Sequence, residues 1–336
     1  MKSNWKRMLV LLPTALLMFS LTACEDDPVE AGLTDWEIVQ QVVSDYLAGD
    51  PSPVIAPSAV YDDVSGAKSK TIVSVRAASA FDLGHVEGAI NIPWREITST
   101  ANLALLPSMA TPMVAYCYTG HTGGLAATSL SLLGWDVQNM KWGMMNWSDD
   151  ATVVATTIWT EAASLQAATE TTVNTITETF DAPDLEVSSS DDPTTVTTAA
   201  IARWITDTAW TPLISAQAVF DNLNDGDTTN DPVIISVRSA THYALGHLPG
   251  AINIPWADIA DLDKLAMLDP DADIVVYCYT GHTGGVATAI LNTLGYKAKN
   301  MKFGMMGWTT DSSVLNTTVF SGAPGYPTVA TGGGNN

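Results

Sequence analysis

The sequence predicts an α/β protein built as two copies of one unit, and three observations carry that prediction. The string YCYTGHTGG occurs twice, around Cys117 and around Cys278, inside a longer duplication. TIVSVRAASAFDLGHVEGAINIPW (71–94) matches VIISVRSATHYALGHLPGAINIPW (233–256), and QNMKWGMMNW (138–147) matches KNMKFGMMGW (299–308). In each copy a short apolar, β-rich run leads into the cysteine and a segment of helical spacing follows it, the alternation of a doubly covered sheet.

Residues 1–24 are not part of either copy. The basic stretch MKSNWKR, the apolar MLVLLPTALLMFS and the closing LTAC read as an export signal, too short for an ordinary transmembrane helix. LTAC resembles a bacterial lipobox, which implies cleavage before Cys24 and a lipid on its sulfur; the alternative is an ordinary signal-region residue. Glu25 after the cysteine leaves the choice of membrane open. Residues 25–159 form the first domain and 197–320 the second. Between them, 160–196 is a linker rich in Thr, Ser, Asp and Glu, with a short helix near 161–169 as its alternative. Residues 321–336, with Gly and Pro, form a flexible tail.

Each domain opens with a helix, over 35–47 and 198–210. APSAVYDDV or SAQAVFDNL follows, then a buried strand, IVSVR or IISVR, ending at Arg76 or Arg238. MVAYC (113–117) and DIVVYC (273–278) read as strands buried on both faces, so each cysteine sits where a strand ends. GGLAATSLSLLGW (123–135) and GGVATAILNTLGY (284–296) read as the helices beyond the loop.

That order carries chemistry. Unpaired N–H groups at a helix N-terminus suit an anion, and a thiol placed there ionises more readily and becomes a nucleophile. The bland alternatives are a small buried hydrophobe at each position or a Cys117 to Cys278 disulfide. With 36 acidic against 14 basic residues and a net charge of -22, nucleic acid and anionic membrane surfaces are poor partners. No second CxxC or HxxxH stands near the loops to complete a tetrahedral site, so neither a metal nor another cofactor is expected. Trp94, Trp147, Trp256 and Trp308, with the NMKWGMM and NMKFGMM segments, read as packing.

Residues 57–148 and 216–309, through the ordered set of V-R, GH, GAINIPW, the Y-C loop and GMMxW, resemble the rhodanese (thiosulfate sulfurtransferase) family in tandem. The resemblance implies two domains, each a roughly five-stranded parallel sheet with helices on both faces, and a site at a strand's C-terminal end. Cys117 and Cys278 match the persulfide-forming cysteine. Tyr118, Thr119, Gly120, His121, Thr122 and Gly123, with Tyr279, Thr280, Gly281, His282, Thr283 and Gly284, match the loop that holds the sulfur anion. Gly120 and Gly281 permit the turn, and Thr122 and Thr283 add a hydroxyl. His85 and His247 match a position that pins the segment before GAINIP. Arg76 and Arg238, whose usual Asp neighbour is Ser74 or Ser236 here, are expected to pair within the fold.

Two departures matter. The loops carry no Lys or Arg, so His121 and His282, when protonated near or below pH ~6.5, are their only source of positive charge. Gly123 and Gly284 stand where cysteine phosphatases of the same fold need an arginine clamp, which disfavours phosphatase chemistry. The resemblance implies a sulfurtransferase that moves sulfane sulfur from a donor such as thiosulfate or mercaptopyruvate to a thiol or cyanide. The alternative is a non-enzymatic envelope lipoprotein that carries sulfur or another chalcogen, and a third reading is an interaction scaffold. The expected setting is the bacterial cell envelope, periplasmic or outer-membrane associated, with the lipid on Cys24 as membrane anchor and an envelope redox protein as partner.

Overall fold

The computed structural model describes residues 32–331; the signal segment, Cys24 and residues 332–336 lie outside them. The first copy runs α1 (Asp35–Ala48), β1 (Val54–Ile55), α2 (Pro57–Ser65), β2 (Thr71–Ser74), α3 (Ala78–Leu83), β3 (Ile90–Asn91), α4 (Thr100–Leu103), β4 (Met113–Tyr116), α5 (His121–Leu132), β5 (Val137–Met140) and α6 (Ala151–Val154). The second runs α7 (Pro193–Ile205), β6 (Leu213–Ile214), α8 (Ala216–Leu223), β7 (Val233–Ser236), α9 (Ala240–Leu245), β8 (Ile252–Asn253), α10 (Leu262–Leu265), β9 (Asp273–Tyr277), α11 (His282–Thr293), β10 (Lys297–Met301), α12 (Gly304–Trp308) and α13 (Ser312–Leu315).

Each copy makes a five-stranded parallel sheet, ordered β1-β5-β4-β2-β3 and β6-β10-β9-β7-β8. The cysteine strands β4 and β9 are central, and all four residues of β4 are buried, as strands covered on both faces require. Their C-terminal ends deliver Cys117 and Cys278 to the sheet edge where open α/β sheets place their sites.

Helix starts follow local chemistry more closely than hydrophobic spacing. Thr34 and Glu37 form a capping box at the head of α1. The helix expected over 198–210 is instead α7, because Asp192 caps the Thr195 N–H at 2.8 Å with Pro193 in the first turn. Helices α5 and α11 start two residues before their expected glycine pairs, directly after Gly120 and Gly281, whose φ values are 85° and 86°.

Two segments read as loose connections are docked. Residues past α6 begin on their own copy, with the Trp159 N–H on Met145 Sδ at 3.3 Å, and then cross to the second. There the Leu165 N–H donates to Gly307 O at 3.1 Å, Trp308 Nε1 to Ala168 O at 2.9 Å, and Glu170 bridges to His247. The tail expected to be flexible past Phe320 does the converse through residue 331. The Tyr326 N–H donates to Trp147 O at 2.8 Å, Trp147 Nε1 to Pro327 O at 2.9 Å, and Val329 bridges to His85. Each copy therefore lends an arm to the other. Composition hid this because the arms are held by main-chain bonds and by scattered apolar contacts, such as Tyr326 stacked on Tyr61, which need no periodic apolar pattern.

The copies also meet along α5 and α11. At their N-terminal ends a Cβ on Gly124 would lie 3.5 Å from His282 O and 3.9 Å from Gly285 Cα, so small residues let the two cysteine loops come face to face. Arg95 of the first copy closes one flank, donating to the Ile205, Asp207 and Trp210 carbonyls at 2.9, 2.6 and 2.7 Å at and just past the C-terminus of α7.

Candidate functional site

Cys117 and Cys278 are free thiols, each about 1% exposed. Each Sγ lies 3.1 Å from one backbone N–H, that of Gly120 or Gly281, at the left-handed residue that opens the following helix. Several groups fix this turn. Asn139 Nδ2 and Asn300 Nδ2 donate to the Gly120 and Gly281 carbonyls at 2.8 Å in both copies. The segment after β5 or β10 then folds under the cysteine: Met144 N–H donates to Cys117 O at 2.9 Å and Met305 N–H to Cys278 O at 2.8 Å.

Gly123 and Gly284 now have a steric reason. A Cβ there would lie 2.5 Å from Asn139 Oδ1 or 2.6 Å from Asn300 Oδ1. An arginine at either position has no room while the asparagine holds the turn. This strengthens the case against a phosphate clamp.

His121 and His282 are buried, so the expectation that they supply positive charge to the loops is corrected. His282 Nε2 accepts the Trp142 N–H at 2.7 Å and His121 Nε2 accepts the Phe303 N–H at 2.8 Å, each reaching across to the other copy. An accepting Nε2 leaves the proton on Nδ1, which meets Thr119 Oγ1 at 2.7 Å or Thr280 Oγ1 at 2.8 Å. Burial, helped by the charge of Lys302 and resisted by the Thr280 carbonyl, pushes His121 down to about 3. Burial, then His121 and Lys141, holds His282 well below the usual histidine range. Both rings are neutral hydrogen-bonding keys, with centroids 6.1 Å apart.

The backbone that meets each key is itself unusual. Trp142 and Phe303 have φ of 60° and 64°, a conformation that aromatic residues seldom adopt. The turn aims one N–H across the interface at histidine while Gly143 and Gly304 pass beneath the cysteine carbonyl.

The remaining sequence-chosen residues lie behind the loops. Arg76 and Arg238 are fully buried and donate to main-chain carbonyls, Arg76 to Val153 and Gly84, Arg238 to Val314 and Gly246. Their guanidinium groups sit 5.8 Å from the Tyr118 and Tyr279 rings, so the arginines brace the loops from inside. His85 Nδ1 faces Phe81 O at 2.9 Å, and His247 meets Tyr243 O and Thr172 O, both at 2.9 Å. Thr122 and Thr283 are half-buried in the first helical turn. No His, Cys, Asp or Glu cluster suited to a metal occurs among the described residues.

Sequence reasoning missed Lys141 and Lys302, which precede the inverted aromatic residues. Their signal was present: in a chain with so few basic residues, each copy has a lysine at the same point of NMK(W/F)GMM.

Compared with known proteins, the chain matches the model of the Rhodanese-like domain over residues 57–150 and 215–311. A 62-residue stretch is 37% identical to the thiosulfate sulfurtransferase PspE of Escherichia coli, covering 18% of this chain and 60% of that protein. A 77-residue stretch is 40% identical to an HTH-type transcriptional regulator of Mycobacterium tuberculosis, covering 22% of this chain and 33% of that protein. The chain thus spans less than two thirds of either relative. Among solved structures, a thiosulfate sulfurtransferase from Pseudomonas aeruginosa aligns over 79% of this chain and 46% of its own, at 17% identity and a TM-score of 0.30.

Proposed function

Starting from a chain that belongs to the rhodanese-like family in both of its halves, we propose that it is a sulfurtransferase working through Cys117 and Cys278. The observation that carries this reading is the N–H of Gly120 or Gly281 aimed at each Sγ from 3.1 Å, at the head of a helix. Such an N–H stabilises negative charge on the sulfur it faces, whether thiolate or terminal persulfide.

In the reaction, the thiolate attacks the outer sulfur of a donor such as thiosulfate. The new S–S bond forms as the donor's own bond breaks, and sulfite leaves with the bonding pair. An acceptor thiolate or cyanide then attacks the terminal sulfur and carries it away, returning the cysteine thiolate. Tyr118 to Gly123 and Tyr279 to Gly284 are the loops that hold this sulfur in the proposal. A lipid on Cys24 would confine the reaction to the cell envelope, with a thiol or redox protein there as acceptor.

The test is sulfur transfer from thiosulfate and from mercaptopyruvate by Cys117→Ala, Cys278→Ala and the double variant. The double variant is expected to fall to the uncatalysed rate, and wild-type turnover in it would end the proposal. A carrier that holds sulfur without turnover is the second reading, favoured by the near-complete burial of both Sγ atoms. It predicts a lasting gain of one sulfur atom in the mass of the intact protein, with no thiocyanate formed.

A further inference from the structure

We propose that Lys141, carried by the first copy, is the cation of the Cys278 site in the second and favours anionic reagents there. The inference takes its substrate class from the sulfurtransferase reading, since thiosulfate is a dianion and neither loop has a cation of its own once His121 and His282 are neutral.

The geometry runs through Trp142. Its N–H sits on His282 Nε2 at 2.7 Å, and its ring centroid is 5.9 Å from that imidazole, four residues past Cys278. Lys141 precedes Trp142 and lays its Nζ 4.4 Å from the centre of the indole ring. Its main chain is fixed by donation to Ile55 O at 2.9 Å. The ammonium is therefore held on the indole that packs against His282 of the second copy's loop. It is half-buried, and among the described residues it forms no salt bridge that would cancel its charge.

The electrostatics agree with this placement. Burial lowers Lys141 and negative charge on Cys278 raises it, the burial effect being the larger, while Lys141 in turn helps depress His282. The counterpart Lys302 acts on His121 but is exposed to solvent. Screening by water and salt weakens an exposed charge more than a half-buried one, so the Cys278 site is the more strongly cationic.

The experiment compares the alkylation rates of Cys278 by anionic iodoacetate and neutral iodoacetamide, read by peptide mass spectrometry on the intact chain. Lys141→Met is expected to lower the iodoacetate-to-iodoacetamide ratio at Cys278 about three- to tenfold. The ratio at Cys117 should not change, and the iodoacetamide rate at Cys278 should fall by less than the iodoacetate rate. Lys141→Arg should keep the wild-type ratio, and Lys302→Met should leave the Cys278 ratio alone. An unchanged ratio in Lys141→Met, an equal fall with both reagents, failure of arginine to preserve the ratio, or a Cys278 that admits neither reagent overturns the proposal. In a Cys117→Ala background, Lys141→Met should also lower kcat/KM for thiosulfate by a similar factor. Because alkylation involves no sulfur transfer, a correct alkylation pattern in a protein that turns over no donor counts against the sulfurtransferase reading alone.

Discussion

At Cys117 the following tyrosine, Tyr118, accepts the Ala77 N–H at 3.1 Å, whereas at Cys278 the hydroxyl of Tyr279 meets Ser239 and His242, and His242 in turn meets Asn316. Ala77, Ala80 and Ala155 occupy the corresponding positions of the first copy, so all three polar partners of the second network are missing there together. Closer to sulfur the copies barely differ. The Sγ to glycine N distance is 3.1 Å in both, the asparagine to carbonyl distance 2.8 Å in both, and the glycine φ 85° and 86°. Where backbone contacts leave no room for a Cβ, the duplicates have stayed alike. Where a side chain points into open or half-open space, they have diverged, and with it the charge and hydrogen bonding around two equal thiols.

The largest expected effect tests what the copies share, their interface. Neutral His121 and His282 each accept a buried N–H, and the folded His121 lies at about 3 against ~6.5 for a free ring. Between those values the unfolded chain binds the proton that the folded chain refuses. Stability contributed by the rings is therefore complete above about pH 6.5 and is lost as pH falls toward 3. For His121 alone the loss approaches about 5 kcal/mol as pH falls through 3, of which about 3 kcal/mol is reached by about pH 4.5, given that one pKa unit is about 1.4 kcal/mol. Urea denaturation at pH 7 and pH 4.5 measures the part lost by pH 4.5. The His121→Gln/His282→Gln variant keeps an acceptor for each N–H but cannot titrate in this range, so its stability should depend on pH much less. Parallel pH slopes in variant and wild type would show that the interface does not depend on neutral imidazoles.

Next comes the claim that crowding keeps the backbone equal. Gly143 and Gly304 have φ of 54° and 51°, and a Cβ on either would lie 2.4 Å from the Cys117 or Cys278 carbonyl oxygen. Backbone cannot yield as a side chain can. Gly143→Ala and Gly304→Ala should each cost roughly 3 kcal/mol or more, combining left-handed strain with overpacking, and should abolish thiol reactivity at their own site. Gly88 and Gly250 also have positive φ, but with open space around the Cβ position. Alanine there should cost only about 1–2 kcal/mol. Equal costs at all four glycines, measured by chemical denaturation, would remove crowding as the reason for the likeness.

Much of this was legible in the sequence, but not all by the same means. The two parallel sheets followed from short apolar runs ending at cysteine, because a central strand's burial is written in its own residues. The left-handed Gly120 and Gly281 were visible because the turn demands glycine. The fate of His121 and His282 was not visible, since a loop histidine reads as exposed until its partner, about 180 residues away for His121 and Phe303, is placed against it. The arms were missed for a similar reason. Segments that bond to another copy's main chain carry no periodicity of their own, and Thr, Ser and Asp around 160–196 read as linker although Leu165, Ala167 and Glu170 are docked.

The smallest effect concerns the part in which the copies differ. Removing the Tyr279 hydroxyl strips His242 of one partner and leaves the Asn316 contact unsupported, whereas removing the Tyr118 hydroxyl frees only the exposed Ala77 N–H. A net hydrogen bond is worth about 1 kcal/mol, so Tyr279→Phe should cost roughly that amount and Tyr118→Phe about half as much or less. A double-mutant cycle of Tyr279→Phe with His242→Ala should return a coupling of about 0.5–1 kcal/mol. Placing Ala77→Ser, Ala80→His and Ala155→Asn together in the first copy should bring Tyr118→Phe up to the cost of Tyr279→Phe. If the two tyrosine variants cost the same in the wild-type background, the polar partners in the second copy do not distinguish its loop from the first, and the inequality of the sites rests on Lys141 alone.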